Sequence, residues 1–183
     1  MEQNELIDRM KEKAGLVQAV VSTVTGMEEV LRYSIDITLR QNGKTIAAPG
    51  LDPENLQKLE DLCSVSGLTV LRPPFRSHLS GIHTALTGSD WAIAETGTLV
   101  LDSGSEDLRI ATMLSETHIA WIPASRIVPD AAALSNCLVE KMKSPPGYLS
   151  FITGPSRTAD IERVLAIGVH GPQELHILIM EET

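Results

Sequence analysis

The sequence predicts an α/β protein with a largely parallel sheet that is flanked by helices. Two observations carry this prediction. From residue 44 onward, short apolar runs alternate with amphipathic stretches of helical period, which is typical of strand–helix–strand units. Residues 118–122 also form a continuous apolar run, and strands that are buried on both faces of a sheet have this composition.

The N-terminal region is predicted to be helical. Apolar residues at spacings of three and four indicate one helix over residues 6–24, which Gly26 ends; they are Leu6, Met10, Ala14, Val17, Val20 and Val24. A second apolar stripe predicts a helix from Met27 to the stop at residues 41–43. We therefore expect an N-terminal helical hairpin over residues 1–42 and an α/β core over residues 44–183, within a single domain over residues 1–183.

The elements of the core follow from apolar runs and turn signals. Strands are predicted at 45–48, 68–71, 91–95, 98–102, 118–122, 148–153, 164–169 and 175–180. Helices are predicted after Asp52, over 106–114 and after Pro129. The residues between 91–95 and 98–102 suit a tight hairpin or a bend, and we expect an antiparallel part of the sheet near Gly97.

Composition and charge exclude several classes of function. The formal net charge of -9 argues against binding to nucleic acid or to anionic membranes, since both need a basic surface. The start of the chain is polar, and no apolar run approaches the roughly 20 residues that span a bilayer. Cys63 and Cys137 have no partner at metal-ligand spacing. We expect a cytoplasmic protein without membrane insertion, with no metal or iron–sulfur cluster held by this chain alone.

Three places after predicted strands carry chemically useful residues. The strongest is residues 154–162 (GPSRTADIE), where a glycine, two hydroxyls and the Arg157 guanidinium could cradle an anion. The alternative is a capped turn, in which Thr158 begins a short helix and Arg157 pairs with a nearby acid.

The other two places centre on Glu95 and His170. Glu95 could act as acid, base or nucleophile, although Thr-Gly sequences are also ordinary hairpin turns. His170 could shuttle protons or simply hydrogen-bond a neighbouring loop. His78 and His83 are five residues apart, which does not place them on one helical face. The fingerprints of dinucleotide-binding enzymes, P-loop ATPases and α/β-hydrolases are missing from the sequence.

An ordered set of motifs resembles the LUD domain family. The motifs are residues 94–101 (AETGTLVL), 123–128 (PASRIV), 152–162 (ITGPSRTADIE) and 168–172 (GVHGP), and the match runs from about residue 44 to the end. The resemblance implies a sheet of the NagB/RpiA/CoA-transferase-like, Rossmann type with helices on both faces. It also implies a place in a three-subunit system that oxidises L-lactate to pyruvate.

The resemblance further implies that the iron–sulfur clusters of that system lie on two cysteine-rich partner subunits, A and B; this chain has no comparable set of cysteines. The chain itself would be an accessory subunit that binds a small anion. The alternative is a stand-alone enzyme like the CoA transferases or sugar-phosphate isomerases, with Glu95 as nucleophile. A third possibility is a purely structural adaptor. The predicted catalytic residues are Glu95 and His170, and the predicted ligand-binding residues are Thr96, Gly97, Thr98, Gly154, Ser156, Arg157, Thr158 and Asp160.

Overall fold

The computed structural model describes residues 2–141, 147–158, 166–167 and 170–181. The helices in this part of the chain are α1 (Gln3–Leu16), α2 (Met27–Arg40), α3 (Pro53–Val65), α4 (Glu106–Leu114) and α5 (Ala131–Lys141). The strands are β1 (Val20–Val24), β2 (Thr45–Ala47), β3 (Thr69–Leu71), β4 (Thr84–Gly88), β5 (Trp91–Ile93), β6 (Thr98–Asp102), β7 (Thr117–Pro123), β8 (Ile127–Val128), β9 (Leu149–Ile152), β10 (Arg157–Thr158), β11 (Ala166–Ile167) and β12 (Glu174–Met180).

Six of these strands form a parallel sheet in the order β1-β12-β7-β4-β2-β3. Its centre is the pair β7 and β12, which runs in register from Thr117 opposite Glu174 to Pro123 opposite Met180. Side chains alternate between the two faces of a strand, so Ile119 enters one core and Ala120 the other. The two longest strands of the sheet are thereby buried on both faces, as the apolar run at 118–122 predicts.

Different elements cover the two faces of this sheet. Helices α2 and α3 pack on one face, where Leu31 and Leu59 join the core. On the other face lie α1, α4 and a smaller sheet of order β8-β5-β6-β9. Helix α5 covers the outside of the smaller sheet through Leu134. The protein is therefore a mixed α/β structure with a mostly parallel central sheet, as the sequence predicts.

The connections of the parallel sheet reverse direction between β2 and β4. The chain leaves β2 through α3 toward β3 on one side, and it leaves β4 toward β7 on the other side. Since α3 and α4 lie on opposite faces, a crevice opens beyond the carboxyl ends of these two neighbouring strands.

Several local predictions are confirmed. Helix α3 begins after Asp52, whose side chain accepts a hydrogen bond from the backbone N–H of Asn55, with Pro53 in the first turn. Helix α4 spans 106–114, and Ser105 caps it. Strands β5 and β6 pair antiparallel across the turn at 94–97. The predicted strand at 164–169 is described only at Ala166–Ile167, and the rest of it lies outside the described residues.

The predicted N-terminal helical hairpin is wrong. Helix α1 ends at Leu16, Gln18 takes a positive φ of 67°, and Val20–Val24 is the strand β1 at the edge of the main sheet. The segment is rich in β-branched residues, whose stiff side chains favour strands, and pairing with β12 decides between the two patterns. Helices α1 and α2 consequently pack on opposite faces of the sheet. Strand β4 was missed because Thr84–Gly88 is short and ends in glycine.

We predict that Gly97→Ala destabilises the fold more than Gly67→Ala does. Both glycines have positive φ, 65° and 69°, which costs alanine about 1 kcal/mol. A Cβ at Gly97 would also lie 2.6 Å from the Cα of Ala14 in α1, whereas a Cβ at Gly67 meets nothing within 4 Å. The steric overlap adds about 1–3 kcal/mol for Gly97→Ala, measured by urea unfolding. Equal losses for the two variants would contradict the packing of α1 against Gly97.

Candidate functional site

A cleft of about 410 Å³ lies at the amino ends of β7 and β12. We call it the amino-end cleft. Its floor is formed by His118 of β7 and Leu175 of β12, and the last turn of α4 forms one wall. Two loops close it, residues 153–156 after β9 and residues 170–172 before β12. Gly154, Ser156 and His170, predicted to be site residues, therefore line one cleft.

The two loops are joined to each other by backbone contacts. The backbone N–H of Ser156 donates a hydrogen bond to the carbonyl of Pro172 at 2.8 Å. Gly171 allows this approach, because a Cβ there would lie 3.1 Å from the Cβ of Ser156. His170 itself is exposed at the mouth of the cleft. The hydroxyl of Ser156 and the imidazole of His170 are thus held on a shared rim.

His118 is a buried histidine that sequence reasoning assigned only to a strand. Its side chain is almost fully buried, at 1% exposure, and its Nε2 shares a hydrogen bond of 2.9 Å with the hydroxyl of Thr87. Burial lowers the pKa of His118 to about 4, because the charged ring would lose its hydration. The ring is therefore neutral at pH 7. It has one N–H donor and one nitrogen acceptor, so it can form hydrogen bonds without adding charge to the cleft.

Glu95 lies outside this cleft. Its backbone N–H donates to the carbonyl of Pro129, and its carboxylate forms an ion pair with Arg9 of α1 at 3.7 Å. The carboxylate side chain is 51% exposed. A nucleophilic role for Glu95 stays a prediction, and the geometry separates this residue from Ser156 and His170.

The loop of Glu95 is nevertheless connected to the loop after β9. The hydroxyls of Thr96 and Thr98 share a hydrogen bond of 2.7 Å, and Thr98 shares another of 2.8 Å with Thr153. Gly97 meets the backbone of α1 at Ala14, and Gly154 meets the residue that caps the end of α1, since a Cβ on Gly154 would overlap the carbonyl oxygen of Val17. The close approach that these two glycines permit is therefore an approach to the protein's own helix.

Arg157 follows the cleft loop in the short strand β10. Its Nη2 would lie 2.9 Å from a Cβ on Gly154, on the side of this glycine that also faces the carbonyl oxygen of Val17, and Arg157 is not among the residues that line the cleft. The backbone of Thr158 pairs with Ala166. Asp160, predicted to bind ligand, lies outside the described residues.

The three places that follow predicted strands do not all lie at the carboxyl edge of one parallel sheet. Strand β9 belongs to the smaller sheet, where it pairs antiparallel with β6. His170 comes shortly before β12 instead of following a strand of the main sheet. The strand order decides which ends of the strands meet, and alternating apolar runs do not reveal that order.

A second cleft, of about 480 Å³, occupies the crevice between the carboxyl ends of β2 and β4. We call it the switch-point cleft. Its lining includes Gly50, Ser89, Asp90, Trp121 and Arg126. Sequence reasoning missed it as a site, although Arg126 stands in the motif at 123–128 that resembles the LUD family.

The described part of the chain contains no group of three or more histidine, cysteine or acidic side chains able to hold a metal ion. Among the described helices, none is long and apolar enough to cross a bilayer.

The fold and its clefts define an α/β protein built on a Rossmann-like parallel sheet with helices on both faces. A chain of the DUF162 family from Deinococcus radiodurans has a similar fold, with a TM-score of 0.62 and 20% identity over 98% of this chain and 99% of that one. The chain belongs to the LUD domain family, because residues 7–180 match the model of that domain.

Curated relatives of the chain carry the name lactate utilization protein C. The protein from Macrococcus caseolyticus is 30% identical over 98% of this chain and 80% of its own length. Those from Geobacillus sp. and Geobacillus kaustophilus are both 42% identical, over 55% and 51% of this chain. These two alignments span 43% and 40% of the relatives' own lengths.

We predict that His118→Gln makes stability less sensitive to acid. As the pH falls from 7 to 5, an unfolded histidine takes up a proton near its ordinary pKa of 6.5, while buried His118 stays neutral. The unfolded state then binds more protons, so the unfolding free energy of the wild type falls by about 2 kcal/mol through this residue. The glutamine variant should lack that component in urea unfolding at the two pH values. Identical acid losses in both proteins would show that His118 is not buried as a neutral ring.

Proposed function

We propose that this chain is a cytoplasmic, non-redox accessory subunit of a system that oxidises L-lactate to pyruvate, and that its amino-end cleft binds a small anion. The names of the relatives support the place in lactate utilisation. The cleft supports the binding role. Lactate and pyruvate are carboxylates, and the phosphate of a cofactor is a further candidate, which is also negatively charged.

The observation that carries the anion-binding role is the charge of the lining. The chain has a formal net charge of -9, yet none of the described residues that line the amino-end cleft is acidic. Its polar groups are hydroxyls and imidazoles, including those of Thr112, Thr153, Ser156 and His170. An anion in this cleft meets hydrogen-bond donors, and no carboxylate of the described lining repels it, which lowers the cost of removing the anion from water.

Each group has a distinct part in the proposed site. The proposal assigns the positive charge to the Arg157 guanidinium, which lies beside Gly154 and next to the described lining of the cleft instead of within it. Its forked pair of donors matches a carboxylate. Ser156 donates from its hydroxyl, and His170 at the mouth donates from its ring. His118 below them is neutral and supplies a polar floor. Glu95 is not part of this site.

The partner subunits of this proposal are those that the resemblance to the LUD family implies. Oxidation of lactate removes two electrons, which iron–sulfur clusters carry in many oxidoreductases, and the two cysteines of this chain are too few to ligate a cluster. We therefore place the clusters on the cysteine-rich subunits A and B and assign to this chain the binding and presentation of the anion.

Calorimetric titration of the full chain with L-lactate, pyruvate and inorganic phosphate tests the cleft. We expect at least one of these anions to bind. Arg157→Ala should weaken that binding about tenfold or more, because a hydrogen-bonded charge contributes roughly 1.5–3 kcal/mol. Arg40→Ala is the matched control, since it removes an exposed arginine that pairs with Asp36 on α2. The absence of any binding, or equal losses for both arginine variants, would refute the anion site.

Co-expression with the two iron–sulfur subunits tests the partnership. We expect the three chains to co-purify, and lactate oxidation by the complex to fall at least tenfold when this chain is omitted. His170→Gln should lower the activity of the complex and leave its assembly intact, because His170 lies at the cleft mouth. An A–B pair that oxidises lactate at the full rate without this chain would rule out the proposed role.

A further inference from the structure

The switch-point cleft has the position at which open α/β sheets bind ligands. The chain leaves β2 through α3 on one face of the sheet, and it leaves β4 through β5, β6 and α4 on the other face, so no single connection closes the carboxyl ends of these two strands. The loops after both strands contribute to the cleft, through Gly50 after β2 and Ser89 after β4. Its volume of about 480 Å³ falls within the range of small-molecule sites.

An aromatic ring forms one wall of this cleft. Trp121 lies opposite Gly88 in the pairing of β7 with β4. A Cβ on Gly88 would lie 3.1 Å from Cζ2 and 3.3 Å from Cε2 of the indole, so glycine at this position lets the ring lie close against the end of β4. Trp121 is half-buried and borders the open space. A partly exposed indole beside a cleft offers a stacking surface for a flat ring.

A guanidinium stands at the same cleft. Arg126 is exposed, and its Nη1 donates a hydrogen bond of 3.4 Å to the backbone carbonyl of Asp90. This contact joins the turn at 124–126 to the end of β4 and holds Arg126 at the edge of the switch-point cleft. Arg126 does not line the amino-end cleft. Arginine is the side chain best suited to grip a phosphate with two parallel hydrogen bonds.

Two carboxylates, those of Asp90 and Asp102, also line the cleft. They restrict which group of a ligand could lie between the indole of Trp121 and the guanidinium of Arg126. Asp90 accepts a hydrogen bond from the backbone N–H of Asp102 at 2.6 Å, and Asp102 accepts one from the N–H of Gly104 at 3.0 Å. These bonds fix both carboxylates in place. A carboxylate repels a nearby anion, but it accepts hydrogen bonds from hydroxyl groups such as those of a sugar.

We propose that the switch-point cleft binds a nucleotide, with its base against Trp121, its sugar hydroxyls toward Asp90 and Asp102, and its phosphate on Arg126. A nucleotide has a flat base, a sugar with hydroxyl groups and a phosphate, and these match the indole, the carboxylates and the guanidinium of the cleft wall. An inorganic anion matches only the guanidinium. This site is separate from the proposed anion site, because His118 and Trp121 lie three residues apart on β7 and belong to different clefts at its two ends.

Tryptophan fluorescence of the full chain tests this site. The chain has two tryptophans, so Trp91→Phe leaves Trp121 as the only source of indole emission. This protein is titrated with AMP, GMP, CMP and UMP, with the four corresponding nucleosides and with inorganic phosphate. We expect at least one nucleotide to quench the emission with a Kd below about 1 mM, and the corresponding nucleoside and phosphate to bind at least tenfold more weakly. Calorimetry on the unsubstituted chain gives the same comparison if Trp91→Phe does not fold.

Paired variants identify the cleft. Arg126→Gln should weaken the nucleotide about tenfold and leave the affinity for the nucleoside unchanged, whereas Arg32→Gln, an exposed arginine on α2, should change neither. Gly88→Ala should also weaken the nucleotide, because the new methyl group pushes the indole aside. Ser156→Ala in the amino-end cleft should have no effect on it. The proposal is overturned if none of the four nucleotides binds, if Arg126→Gln binds as well as Arg32→Gln, or if Ser156→Ala abolishes nucleotide binding.

Discussion

The parallel pairing of β7 with β12 is the constraint on which the rest of the structure depends. The two strands are in register over seven residue pairs, and their side chains enter the cores on both sides of the sheet. Because β7 is buried along its length, its two ends are the places where polar groups can reach solvent. His118 lies near one end and Pro123 at the other, about 16 Å apart for a strand of ordinary rise. Each end opens into a cleft.

Helix α1 is the second organising element, and it explains sequence features that resemble a ligand site. Gly97 and Gly154 were both predicted to bind ligand, but a Cβ on Gly97 would overlap the backbone of Ala14 in α1, and a Cβ on Gly154 would overlap the carbonyl oxygen of Val17, which follows α1. A glycine permits close approach whether the neighbour is a ligand or a helix, so the residue type does not distinguish them. The hydroxyl chain from Thr96 to Thr153 likewise joins two loops of the protein. Ser156 and His170 remain at the cleft itself.

The two clefts differ in the chemistry of their walls. The amino-end cleft presents hydroxyls and imidazoles and has no acidic residue among the described lining, which suits a small carboxylate. The switch-point cleft combines an indole, a guanidinium and two carboxylates, which suits a larger molecule with distinct parts. They also share elements: α4 contributes Leu108 to one cleft and Thr112 to the other. Helix α4 and strand β7 thus each contribute residues to both clefts, which open at opposite ends of β7.

The sequence by itself determined the class of fold, the family and most local elements. The Asp52 cap, the helix at 106–114 and the buried run at 118–122 depend on neighbouring residues and on period, and the structure has all three. Only the tertiary structure decided that residues 20–24 form a strand, since pairing with β12 outweighs a helical spacing that the same residues also fit. It alone decided that Ser156 and His170 share a cleft while Glu95 contacts Arg9, and that β2 and β4 are neighbours. Strand order and loop convergence arise from contacts between distant segments, which no local pattern encodes.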